Sequence, residues 1–245
     1  MPNTRRWILL RGLARGRGHW GSFAQKIREH FPNDEFEFLD LPGNGERYAE
    51  TSPLSVPEYV QDLRSRSEFV RKGYSFNILA ISLGAMVTVE WMREYPHEVK
   101  KAFLICTSSS NFSPFYNRYG LHNYLPSLKL AMVRDAKKWE QGILSMVTNN
   151  HERREAELAA MTTYSHENPV QVKNVLRQLA AAARYHFPEQ APGDVVILGS
   201  HGDRLVSPTC SIKIAEHWGL HPNMHSWAGH DIPVDDPEWV LEHLL

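Results

Sequence analysis

Short apolar runs alternate along the chain with longer stretches whose apolar residues recur every three or four positions. The runs at 7–10 (Trp-Ile-Leu-Leu), 76–81, 99–107 and 195–200 are continuous enough for strands buried on both faces. Residues 35–41 alternate and read as a further strand, closed by the turn Pro42-Gly43-Asn44-Gly45. A short strand is expected at 224–227. Between them, helix-like spacing predicts helices at 20–31, 56–70, 85–95, 208–217 and 237–245. The 56–70 helix is expected to begin near Ser55 with Pro57 in its first turn. Strands alternating with helices imply an α/β class, with a mostly parallel sheet and helices on both faces.

One stretch breaks the alternation. Residues 111–187 contain no strand-like run, only helical patterns at 121–133, 135–147, 152–164 and 169–185. The expected organisation is a core of residues 1–110 and 188–245, with 111–187 inserted as a helical cap. The cap carries ten basic against six acidic side chains, about +4, leaving about −5 on the rest. A solvated face is the plainer explanation. The functional one is a cap that draws in an anionic or carrier-linked substrate.

A length of 245 residues fits one domain, with or without such an insertion. The 27 basic and 28 acidic residues nearly cancel, so charge indicates neither nucleic acid nor a membrane surface as partner. No apolar stretch approaches the ~20 residues that span a bilayer. The run behind Arg5-Arg6 is too short for a secretory signal. Cys106 and Cys210 are the only cysteines and form no Cys-x-x-Cys pair, so a reducing, cytoplasmic setting is expected.

The chemistry concentrates at Ala80-Ile81-Ser82-Leu83-Gly84, where a strand runs straight into a helix. A sharp turn there would expose the Ser82 hydroxyl above the sheet and turn the next amide toward it. A serine that merely caps a helix explains the turn equally well. Ala80 also stands where the G-x-S-x-G pattern has its first glycine. The company of Ser82 tips the balance. A nucleophilic serine needs a base, and the base needs an orienting carboxylate. Asp203 follows the strand 195–200, and His230 follows the short strand near the chain end, in the order serine, acid, histidine. His201 is the weaker base, because it precedes the acid. Asp231 adjoins His230 and is poorly placed to orient its ring.

With those residues in view, the chain resembles the α/β-hydrolase fold family over nearly its whole length. It is most similar to the small bacterial carboxylesterases that include the pimeloyl-[acyl-carrier-protein] methyl ester esterase. The resemblance rests on Asp40-Leu41-Pro42-Gly43-Asn44-Gly45, the Ser82 turn, Ser108-Ser109-Ser110, Gly202-Asp203 and Gly229-His230. It implies Ser82 as nucleophile, Asp203 as orienting acid, His230 as base, and a four-helix cap. It also implies an oxyanion hole from the backbone N–H groups of Leu83 and Leu13. Such esterases usually have His-Gly before the second donor, where this chain has Arg11-Gly12. Trp20, Phe112, Phe115, Tyr116 and Tyr119 are the candidate substrate-pocket residues.

Competing local patterns are weaker. The loop from Arg11 to Gly18 is glycine-rich and basic but lacks the Gly-Lys-Ser/Thr ending and the G-x-G-x-x-G spacing of phosphate loops. Thirteen histidines include no H-E-x-x-H or Cys/His pairing, so no metal and no cofactor are expected. The expected function is hydrolysis of a small-molecule carboxylic ester through an acyl-enzyme. Thioester, amide or C–C cleavage on the same triad, cofactor-free haloperoxidase activity and non-catalytic ligand binding stay open, because fold alone does not choose among them.

Overall fold

The apolar runs that predict strands do become the centre of a sheet. In the computed structural model, which describes residues 4–245, six parallel strands lie in the order β2-β1-β3-β4-β5-β6. They are β1 (Arg6–Leu10), β2 (Glu35–Leu39), β3 (Phe76–Ile81), β4 (Val99–Ile105), β5 (Val195–Ser200) and β6 (Asn223–His225). Alternate side chains enter two separate cores. Ile8, Leu10, Ile78 and Ala80 pack on one face with α2 (Val56–Arg66), α3 (Glu68–Arg71) and α4 (Leu83–Glu94). Trp7, Leu9, Leu79 and Ile81 pack on the other with α1 (Phe23–His30).

Between β4 and β5 the chain forms helices joined by loops and no strand among the described residues: α5 (Phe115–Arg118), α6 (Tyr124–Ala131), α7 (Ala136–Val147), α8 (His151–Glu167) and α9 (Val172–Arg184). Helices α10 (Pro208–His217), α11 (Ile232–Asp235) and α12 (Pro237–Glu242) complete the chain, α12 packing with α1. No helix among the described residues is long and apolar enough to cross a membrane.

Two expectations need correction. The helix expected at 56–70 breaks at Ser67, whose side chain accepts from the Val70 N–H. Glu37 of β2 reinforces the break by accepting from Ser67 Oγ at 2.7 Å and from Phe69 N–H at 2.8 Å. A polar strand residue thereby caps a new helix, which periodicity cannot reveal. The short helices α5 and α11 went unpredicted because a single turn has no measurable period.

Candidate active site

The elbow after β3 is held by close approach of backbones. Ser82 has φ of 54° and ψ of −114°, a strained conformation outside the helix. Its N–H donates to Ile105 O at 2.9 Å, and its carbonyl accepts from Thr107 Oγ1 at 2.9 Å. A Cβ at Gly84 would stand 2.6 Å from Arg11 O and 2.8 Å from Leu10 O, so only glycine lets α4 start this close to the end of β1. The Ala80 methyl, by contrast, is accommodated in the core beside Leu10, its partner in register. The departure from glycine there is therefore tolerated.

Asp203 lies on the loop after β5, where Oδ1 accepts from the N–H groups of Leu205 at 2.8 Å and Val206 at 2.9 Å. Its other oxygen, Oδ2, is 2.8 Å from His230 Nδ1. An ionised carboxylate only accepts, so Nδ1 carries the hydrogen and Nε2 is left as the basic atom. The His230 loop is fastened by Asp231 N–H to Val147 O at 2.8 Å and by Gly229 N–H to Asp235 Oδ2 at 2.5 Å. Asn149 adds bonds to the carbonyls of Gly202 and Trp227, so the end of α7 spans both loops. Ser82 and His230 line one cavity. No hydrogen bond joins them among the described residues; in apo geometries that contact is often open. His201 is exposed.

Leu13 and Leu83 lie on the same cavity wall. Leu83 is the first residue of α4, so its N–H is not consumed inside the helix. The loop bearing Leu13 is pinned on both sides. Asn44 Nδ2 donates to the carbonyls of Gly12 at 3.2 Å and Arg15 at 3.1 Å. Gln178 of α9 accepts from Ala14 N–H at 2.9 Å and donates to Asn44 Oδ1 at 2.7 Å. Ala14 is the third residue of the turn closed by Arg15 N–H to Gly12 O at 3.3 Å, and these ties hold it at φ of 57°.

The cavity measures about 500 Å³ and runs from Ser82 up between α5, α6, α7 and α9. Its upper walls are apolar, with Leu130, Ile143, Val175 and Leu179 among them. Of the five aromatic residues expected there, Phe115 and Tyr119 line it. The other three do not. Trp20 is buried in the opposite core against Phe23, beneath the Arg11 guanidinium. Phe112 turns away to pack on His217 and Phe187. Tyr116 is half exposed on the outer side of α5, against Phe115. Successive residues of one helical turn point apart, so proximity in sequence to the cap entrance was a poor guide to the wall.

Two buried ion pairs at the floor escaped sequence reasoning. Arg11 is bidentate to Asp231, at 3.0 and 2.5 Å. Arg15 is bidentate to Glu140 of α7, at 2.9 and 2.7 Å. Glu140 also accepts from Ser165 Oγ of α8, which itself accepts from His19 Nε2. The His19 ring accepts at Nδ1 from Gly16 N–H, so its neutral form is the one used. Burial, then Arg15 and Arg11, hold its pKa well below the usual value. Pairings between residues 125 or 220 positions apart leave no local signal.

Cys106, Asp203 and His230 bring three potential metal-ligand atoms within 4.8 Å of one another. The chemistry of the set is unfavourable to an ion. His230 Nδ1 is already bound to Asp203, and burial together with Asp203 pushes the Cys106 thiol well up, away from the thiolate a metal needs.

No family model matches the sequence, and no curated protein matches it. Solved structures match it closely in shape. The 2-hydroxy-6-oxo-6-phenylhexa-2,4-dienoate hydrolase of Rhodococcus sp. strain RHA1 aligns with a TM-score of 0.74 at 19% identity, over 100% of this chain and 90% of that one. A thermophilic esterase from Thermogutta terrifontis gives 0.71 at 14%, over 99% and 88%. The type II thioesterase BorB of the borrelidin biosynthetic cluster gives 0.64 at 14%, over 100% and 92%.

Proposed function

On the premise of the α/β-hydrolase fold, which this chain has, we propose that it is a serine hydrolase that cleaves a carboxylic ester through an acyl-enzyme. The observation that carries this is the 2.8 Å bond from His230 Nδ1 to Asp203, on a ring that shares a cavity with the strained Ser82. Asp203 fixes the ring orientation and leaves Nε2 free to take the Ser82 proton. Ser82 Oγ then attacks the ester carbonyl, and the Leu13 and Leu83 N–H groups receive the oxyanion. Each such donor is worth about 3–4 kcal/mol of barrier. The imidazolium returns its proton to the leaving alcohol. Water, deprotonated by the same Nε2, attacks the acyl-enzyme and releases the acid. No cofactor enters these steps.

The apolar walls above Ser82 suit an acyl or alcohol chain, and the two-carboxylate, two-arginine floor keeps bulk charge balanced beneath it. The test is labelling by a fluorophosphonate probe, with turnover of an ester panel that includes thioesters. Wild-type protein should label and Ser82→Ala should not, with ester turnover falling ~10⁴-fold or more. Equal labelling of both proteins would show that Ser82 is not the nucleophile.

A further inference from the structure

Three arginines line the cavity, and they are not alike. Arg11 and Arg15 each carry a buried carboxylate of their own, in Asp231 and Glu140. Arg118, on the last turn of α5, carries none: among the described residues no carboxylate lies within 4.0 Å of it. Its guanidinium donates to Ala182 O at 2.6 Å, to Ala183 O at 3.5 Å and to Ser108 Oγ at 3.4 Å. Two of those three contacts are at the outer limit of a hydrogen bond.

Burial pulls the Arg118 pKa down, opposed only by the Cys210 thiol and by no carboxylate, yet arginine stays charged at any ordinary pH. A partly buried cation without a counter-ion is unfavourable. The closing carbonyls of α9 offset part of that. Together with Ser108 they engage three of the five N–H groups of the planar fork and leave two, one on each terminal nitrogen, without a partner among the described residues; such a fork can bind a carboxylate through two N–H groups. Ser108, itself buried, lines the same cavity and puts a hydroxyl beside the fork.

We propose that Arg118 is a specificity-determining residue that pairs with a carboxylate on the substrate, so that the preferred esters carry a second, free carboxyl group. This rests on the ester-hydrolase reading above. A single negative charge balances the one unpaired cation. A phosphate dianion would find no second one, since Arg11 and Arg15 are already neutralised. The apolar walls between Ser82 and the cap accommodate the carbon chain linking ester to carboxylate.

The charge can sit on the acyl or on the alcohol side, and two substrate arms separate these. One arm is the monomethyl esters of dicarboxylic acids; the other is acetyl esters of hydroxy acids. Each is compared with its neutral carboxamide isostere. In at least one arm kcat/KM should favour the carboxylate by tenfold or more, and Arg118→Gln should bring that ratio near one, mainly through KM. Arg118→Lys should keep part of it, and Arg134→Gln, an exposed cap residue, should keep all of it. No charge preference in either arm, or an undiminished ratio in Arg118→Gln, overturns the proposal.

If no ester is turned over, the hydrolase reading fails by itself, and binding still decides this proposal. On Ser82→Ala protein, the half-esters should raise Tm more than their carboxamides. Equal shifts would refute the pairing, whether or not Arg118→Gln folds.

Discussion

Gln178 offers the sharpest test of how the helical segment supports the chemistry. It is fully buried on α9 and makes three bonds: from Ala14 N–H at 2.9 Å, and to Asn44 Oδ1 at 2.7 Å and Ser52 Oγ at 3.0 Å. Gln178→Ala leaves Ala14 N–H and Asn44 Oδ1 without partners. Ser52 Oγ loses less, because it still donates to Pro42 O. Each orphaned buried group costs about 1–3 kcal/mol, so the sum is about 2–6 kcal/mol, at the low end where water fills the vacated space. Part of that will appear as displacement of the loop carrying Leu13, one residue from Ala14. Loss of one oxyanion donor lowers kcat by about 10²–10³. Gln178→Glu separates the contacts: a carboxylate still accepts from Ala14 N–H but faces Asn44 Oδ1 with no hydrogen. Its kcat should therefore lie between wild type and Gln178→Ala. The assay is steady-state ester hydrolysis beside thermal unfolding. Wild-type kcat and Tm in Gln178→Ala would refute the claim that α9 holds this loop in place.

Gly84→Ala should slow fluorophosphonate labelling of Ser82 and lower stability by about 1–3 kcal/mol, because the atoms a new Cβ meets are backbone oxygens that cannot swing aside; unchanged labelling and Tm would mean that the elbow and the β1 end separate freely. His19 gives a pH signature. Its folded pKa is depressed, so the unfolded chain binds the extra proton, and stability rises with pH up to about 6.5 and is lost as pH falls below it. If the folded ring stays neutral, the loss from pH 6.5 to pH 5 is about 2 kcal/mol. His19→Gln should flatten Tm against pH over that window, and an identical slope in wild type and variant would remove His19 as the cause.

What was legible in the sequence divides by range. Strand cores such as 76–81 and 195–200 match the structure residue for residue, because continuous apolar runs are local signals. The Ser82 turn and the loops of Asp203 and His230 were legible too, since chain order and strand ends fix them. The cavity wall was not. Phe115 and Phe112 are three residues apart and equally aromatic, yet one lines the cavity and the other packs on His217. Only the path of the chain after β4, which bends at Ser113 and Pro114 into α5, decides which points inward. The ties of Gln178 and Glu140 were hidden for a similar reason: a polar residue in an amphipathic helix reads as solvent-facing until a partner from another element covers it.

Arg11 shows how such a long-range partner changes the meaning of a residue. Alone in the sequence it is a departure from His-Gly that puts a fixed cation on the cavity wall with the proposed base. A bare guanidinium there would oppose formation of the imidazolium on His230. The residue directly after that histidine, Asp231, supplies both oxygens to Arg11, and the pair is almost completely buried. The cation is neutralised where it stands, and the two segments that must stay in register, the loop of Leu13 and the loop of His230, are clamped together by a bidentate bond. As the immediate chain neighbour of His230, Asp231 is an unsuitable partner for that ring. Its role here is with Arg11 instead, so the substitution at position 11 and the acid at position 231 are best understood as one feature of the site.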